Sequence, residues 1–172
     1  LDRSMSTMNR MRAAAALQDI PRPSVDTAQT LLSQARSAGV GEEAEVASAA
    51  LLAAGALGRR AQKLSPAATD LVRGELQDRL RTQRRTEDLN VTLDAIGNSG
   101  DRELASALSS YRKSDSVETR AHAAHAFRRM ELPVMEPALT QWLHDESDSR
   151  VTRAIGLSLT ERLRESAQAP HA

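Results

Sequence analysis

The side chains best able to do chemistry are few. His122 and His125 stand three residues apart, and His144 and His171 lie further on. On a helix, His122 and His125 share a face, which is half of a zinc site. Zinc also needs a carboxylate or a third histidine at fixed spacing. His144 is distant in sequence and no HExxH segment occurs. These histidines are therefore read as surface or groove residues, with no metal assigned. Cysteine is absent, which removes thiolate nucleophiles, iron–sulfur ligands and disulfides. Gly97-Asn98-Ser99-Gly100-Asp101 is glycine-rich, but it follows a helical pattern. A dinucleotide loop must follow a strand. The segment is read as a helix-ending turn, with Gly97 or Asn98 left-handed, Gly100 giving a second bend and Asp101 capping the next helix. Ser65, Ser99 and Ser116 have no His and Asp partners at a motif spacing. The expectation is a non-enzyme with no cofactor.

Charge offers one candidate contact surface. The chain has 23 basic and 23 acidic residues, a balance unlike that of a polyanion-binding domain. Between Ala56 and Arg85 there are eight basic residues, namely Arg59, Arg60, Lys63, Arg73, Arg79, Arg81, Arg84 and Arg85. The same stretch has three acidic residues, Asp70, Glu75 and Asp78. Aromatics that would stack bases are missing, since Phe127, Tyr111 and Trp142 are the only three. An acidic protein surface therefore suits this stretch better than nucleic acid does. From Glu131 onward the balance reverses to seven acidic and four basic residues. Such asymmetry could steer neighbouring domains together.

The elements that must position these residues are helices. Alanine is abundant, β-branched residues are scattered, and apolar residues recur at spacings of three and four. Residues 1–18 read as a first helix with Met5, Met8, Arg12 and Ala15 near one face, stopped by Ile20-Pro21-Arg22-Pro23. Its methionine stripe is a candidate sticky surface or a face whose packing partner is missing. Asp26 is read as the next cap, before the stripe Ala28, Leu31, Leu32 and Ala35. Gly39-Val40-Gly41 is a turn. A long helix from Glu42 then carries Val46, Ala49, Ala50, Ala53, Leu57, Ala61 and Leu64. Gly55 and Gly58 lie within it, each costing about 1 kcal/mol against alanine in a free helix. Close helix approach could offset that cost.

Ser65-Pro66 reads as a cap and first-turn proline. The helix after it carries Ala68, Leu71, Val72, Leu76 and Leu80. A helix over 86–96 turns Leu89, Leu93 and Ile96 inward. Asp101 opens a short helix with Leu104, Leu108 and Tyr111. Ser116 opens one with Val117, Ala121, Ala124 and Phe127. Pro133 opens one with Met135, Ala138, Leu139, Trp142 and Leu143. Asp148 or Ser149 opens the last, with Val151, Ile155, Leu159 and Leu163 inward, and 166–172 is a frayed tail. The fold expected is all-α, an α-α superhelix (a solenoid) of about nine antiparallel-paired helices forming one domain over 1–172. Each helix is too short to stand alone. The longest apolar run, about ten residues ending at Leu57, is well short of a membrane span, and no compartment is assigned. The leading Leu1 is read as marking a fragment of a longer protein.

An internal repeat supports the solenoid. Asp115-Ser116 followed by Thr119-Arg120-Ala121 recurs 33 residues later as Asp148-Ser149 followed by Thr152-Arg153-Ala154. Asp or Ser caps the inner helix of a pair. The arginine on its first turn could reach an acid in the neighbouring repeat. A period of about 33 to 40 suits two helices and two turns. Here the sequence resembles the HEAT repeat, with its Asp, then Val and Arg, then spaced alanines. The second copy departs from that pattern, because Thr152 separates Val151 from Arg153.

A second resemblance covers roughly residues 20–165. Ala49-Ala50-Leu51-Leu52-Ala53-Ala54-Gly55-Ala56-Leu57-Gly58 resembles the apolar, glycine-bearing helix of vitellogenin-like large lipid transfer proteins. Leu93-Asp94-Ala95-Ile96-Gly97-Asn98-Ser99-Gly100-Asp101 resembles that family's Leu-x-Ala-Leu-Gly-Asn-x-Gly segment, with Asp94 and Ile96 as variants. Tyr111, Arg120, Ala124 and Ala126 follow in the family's order. The resemblance implies an arched, double-layered helical domain that wraps lipid-lining β-sheets and makes subunit and receptor contacts. No part of those sheets is recognisable here, so lipid is implied only together with missing domains. The function expected is a non-catalytic scaffold for protein or inter-domain contacts. The alternative is the helical domain of a lipid carrier.

Overall fold

A computed structural model describes residues 4–37 and 39–168. Among the described residues there are nine α-helices, three short 3-10 segments and no strand. The helices are α1 (Thr7–Gln18), α2 (Val25–Ala35), α3 (Glu42–Leu64), α4 (Pro66–Thr82), α5 (Thr86–Ser99), α6 (Ala105–Ser110), α7 (Val117–His125), α8 (Leu132–Asp145) and α9 (Ser149–Gln168). The 3-10 segments are Arg102–Leu104, Tyr111–Lys113 and Ala126–Arg129. The chain divides into two compact units, Leu1–Ser99 and Gly100–Ala172.

In the first unit α3 is the central element, packed against α1, α2, α4 and α5. Its start is fixed by Gly41, whose φ of 59° only glycine adopts without strain. Glu42, Glu43 and Glu45 then put negative charge at the positive end of the helix dipole. Small residues along α3 let its neighbours approach. A Cβ added at Gly55 would lie 2.2 Å from the carbonyl oxygen of Ala95 on α5. One at Gly58 would lie 3.1 Å from Val72 Cγ1 on α4. The two glycines thus give up helix propensity for close contact, as the sequence had implied. Asn98 Nδ2 donates to the Leu52 carbonyl at 3.2 Å, and Gln62 Nε2 donates to the Ser99 carbonyl at 3.2 Å. These bonds tie α3 and α5 together at two levels.

Several boundaries and faces differ from expectation. Residues 1–3 lie outside the described residues, and α1 begins at Thr7 behind the cap Ser6. It buries Arg10 and Ala14 rather than a methionine face, leaving Met5 and Met8 exposed. Arg10 meets Glu43 of α3, with Nη2 to Oε2 at 3.0 Å, and Thr7 Oγ1 donates to Glu42. An ion pair with the acidic start of α3 therefore outranks the apolar stripe in setting the rotation of α1. The α2 cap is Ser24, whose Oγ accepts from Thr27 N at 3.2 Å, and Asp26 lies inside the first turn. Ser65 precedes the first-turn proline of α4 but makes no side-chain cap bond. Leu64 is exposed on the final residue of α3.

The largest correction is at the end of α5. Gly97 and Asn98 remain helical through Ser99, and neither has positive φ. Gly100 is the left-handed residue, with φ 57°. The helix continues because Ile96, Gly97 and Ser99 are all buried. The Asn98 side chain spends its hydrogen bond on α3, which an αL position would have turned away.

The second unit holds the three 3-10 segments and the two shortest helices, α6 and α7. Asp101 Oδ1 accepts from Glu103 N at 3.1 Å and caps the first 3-10 segment, as the sequence indicates. Ser116 Oγ accepts from Thr119 N at 3.2 Å and caps α7. The core here holds the large side chains Phe127, Met130, Met135, Leu139 and Trp142, with Leu104, Leu108, Val151 and Ile155. α7 and the 3-10 segment after it pack against α9. Val117 and Ala121 are only half-buried, and Thr119 and Ala123 take their places inside. Leu143 and Leu163, expected inward, are exposed. α8 accommodates Pro137 within its length. α9 runs to Gln168, and residues 169–172 lie outside the described residues.

Candidate functional site

The first unit carries an open groove of about 900 Å³. Its apolar floor is made by α3, through Ala44, Ala47, Ser48, Leu51 and Leu52. The rim is ionic. Glu75, nearly buried on α4, accepts from Arg36 Nε at 2.8 Å and from Arg79 Nε at 2.8 Å. Arg79 also donates to the Ala35 carbonyl at 2.7 Å. One carboxylate therefore links the end of α2 to the middle of α4. A buried carboxylate held by two guanidinium groups fixes geometry; its net contribution to stability is small because desolvation opposes the attraction.

Of the eight basic candidates, Arg79 and Arg85 line this groove and the other six do not. Arg60 pairs with Asp19 at 3.2 Å and Arg73 with Asp70 at 2.8 Å. Arg81 pairs with Asp78. Arg85 Nε lies 3.8 Å from both Glu87 and Asp88. Arg84 Nη1 donates to the carbonyls of Arg81 and Gln83. Arg59 is half-buried, and Lys63 is exposed on the last turn of α3. The acids Asp19, Glu87 and Asp88 stand outside the basic stretch in sequence and reach it only through folding or across the next helix start. Exposed pairs of this kind contribute little stability, about 0–1 kcal/mol.

The repeat residues form a second constellation. Arg120 of α7 binds Glu146, the residue after α8, with Nε to Oε2 at 2.8 Å and Nη2 to Oε1 at 3.3 Å. Its Nη1 donates to the Ser114 carbonyl at 2.8 Å. The first-turn arginine thus reaches an acid two residues ahead of Asp148. The Arg120 hydrogen bond holds the Glu146 carboxyl below the usual range, helped by the backbone N–H groups of Asp148 and Ser147. Asp148 is brought down to about 2, first by the Arg150 side chain and then by the Arg150 N–H that it caps. Asp148 therefore caps α9, whereas Ser116 caps α7 and Asp115 stays exposed. Arg153, the repeat counterpart of Arg120, is exposed.

Among the described residues, no group of three or more His, Asp or Glu could hold a metal ion. His122 and His125 are half-buried on α7, and His144 is exposed on α8; His171 lies outside the described residues. No described helix is long and apolar enough to cross a membrane. The described residues form an all-α helical-repeat domain. Its sequence matches the family model of the vitellogenin TPR domain over residues 2–153, and the chain belongs to that family. Comparison with curated proteins gives no match.

Proposed function

We propose that this chain is the helical domain of a vitellogenin-type lipid-transfer protein and serves it as a scaffold for neighbouring domains. The carrying observation is the family match over residues 2–153. The groove over α3 supports the same reading, since it offers an apolar floor with a fixed ionic rim and no reactive constellation. Lipid carriage is assigned to the parent protein, whose β-sheets the family resemblance implies as the lining of the cavity. The test is extraction and mass spectrometry of the full-length parent. Lipid recovered across preparations supports the carrier; a repeatedly lipid-free parent overturns it.

A second reading rests on the basic residues of α3 and α4. Arg59, Arg60, Lys63, Arg73, Arg79, Arg81, Arg84 and Arg85 would contact an acidic protein surface, either another domain of the parent or a separate partner. Exposed Lys63, Arg60 and Arg84 favour it. Charge reversal at these three positions should slow association and weaken its salt dependence. Unchanged association would remove the basic stretch from the interface.

A further inference from the structure

The 33-residue repeat can be followed into three dimensions. In the first copy, Ala123, Ala124, Phe127 and Met130 are fully buried. The stretch that carries Ala123, Ala124 and Phe127 packs against α9, whose buried side carries Val151, Ile155 and Ser158. Ser158 Oγ donates to the Ala124 carbonyl at 3.2 Å, so the two helices lie close at this point. The contact is locked at its entrance by Arg120 and Glu146. The equivalent positions in the second copy are Gly156, Leu157, Thr160 and Leu163, with Arg153 in place of Arg120. All five are exposed. Leu157 is 52% exposed and Leu163 is 56% exposed. A Cβ added at Gly156 would meet nothing within 4 Å.

We propose that this outer side of α9 is a docking surface for a further helix pair of the same repeat, supplied in cis by a longer polypeptide. The repeat register states the chemistry of the occupant. Its inner helix presents aliphatic and small side chains, as Val151, Ile155 and Ser158 do to α7. A carboxylate stands just ahead of that helix and pairs with Arg153, as Glu146 pairs with Arg120. The small Gly156 admits a close backbone, and Leu157 and Leu163 supply the apolar area that a helix buries on docking. The proposal specifies one contact surface of the scaffold proposed above. Its failure would leave the lipid test untouched, because that test reads the parent's cargo.

The test inserts a second copy of residues 132–164 between Arg164 and Glu165 of the full chain, which preserves the 33-residue register. The expected result is a single cooperative unfolding transition with a midpoint raised by about 5 °C. Amide protection over 153–163 should rise at the same time. Arg153→Glu and Leu157→Lys in the original α9 should each abolish the gain. Both positions are exposed, so these variants should leave the unextended chain's midpoint unchanged, which checks folding separately. An extension that unfolds independently, or a gain that survives Arg153→Glu, overturns the proposal. Sedimentation of the unextended chain supplies the other arm. A dimer dispersed by Leu157→Lys would give the surface to a second copy and also overturn it; a monomer supports the cis occupant.

Discussion

The two units hold helices together by opposite means. In the first, α3 presents alanines and glycines, and the neighbouring backbones come within reach of side-chain-to-carbonyl bonds such as Asn98 to Leu52. In the second, α6 and α7 are short and run into 3-10 segments, and bulk fills the space between the helices through Phe127, Met130, Met135 and Trp142. Entrance ion pairs then set the register, with Arg120 on Glu146. Long helices can afford small interfaces because many residues share the contact. A short helix such as α7 leans on large side chains beside it, since it has few positions of its own to bury. The two units thus have two packing solutions, and substitutions should separate them.

Enlarging and shrinking should hurt opposite units. Phe127→Ala empties a fully buried site and should cost about 4 kcal/mol, the middle of the range for deleting a buried aromatic. Denaturant titration measures it, and hydrogen exchange should place the loss in 100–168. A cost below about 1 kcal/mol would mean that bulk is not what holds the second unit. Gly55→Ala is the converse. Its Cβ would overlap the Ala95 carbonyl oxygen, so α3 and α5 must part, at a cost of about 3 kcal/mol. The exchange loss should fall in 42–99. An unchanged midpoint would show that α5 can shift freely and that the close contact is incidental.

The turn at Gly100 gives the third contrast. With φ at 57° and a Cβ that would stand 2.6 Å from the Arg129 carbonyl oxygen, Gly100→Ala meets both strain and overlap. It should cost about 2 kcal/mol. Asp101→Ala should cost about 1 kcal/mol through the lost cap. If both variants keep wild-type denaturation midpoints, the turn is loose and the repeat boundary lies elsewhere.

Sequence patterns reached the helices more surely than their rotations. The stripe Ala28, Leu31, Leu32 and Ala35 is buried as its spacing indicates, because one period repeats without a competing signal. α1 fails for the reason that its apolar and charged residues are mixed, and a distant Glu43 decides which side goes in. The α5 end is ambiguous in the sequence because two glycines compete for one αL position. Only tertiary contact, Asn98 to α3 and Gly100 beside Arg129, chooses between them. The 3-10 segments leave no periodic trace over three or four residues. For the surface residues, the i,i+3 pairs Asp70–Arg73 and Asp78–Arg81 were open to view in the sequence. The groove was not, since Arg36 and Glu75 are 39 residues apart.

The smallest expected effect at neutral pH is also the one that belongs to the second unit alone. Glu146 and Asp148 both have carboxyls lowered in the folded state, by Arg120 and by Arg150 respectively, each with backbone N–H support. Unfolding returns them to ordinary values near 4. A lowered folded value means that the unfolded chain binds the proton first. The stability they confer is therefore complete above roughly pH 5 and is lost as pH falls through the folded values, for Asp148 from about 4 toward about 2. Acid should loosen 100–168 before it loosens the contact of α3 with α5, which rests on glycine and amide packing. Hydrogen exchange across pH 5 to 3 would show protection falling first over 117–125 and 149–158. Glu146→Gln should flatten that fall while lowering protection at pH 7, because the neutral amide still accepts from Arg120 but no longer titrates. Equal acid loss in both units, or an unaltered slope in Glu146→Gln, would mean that the repeat-entrance carboxylates do not set the second unit's register.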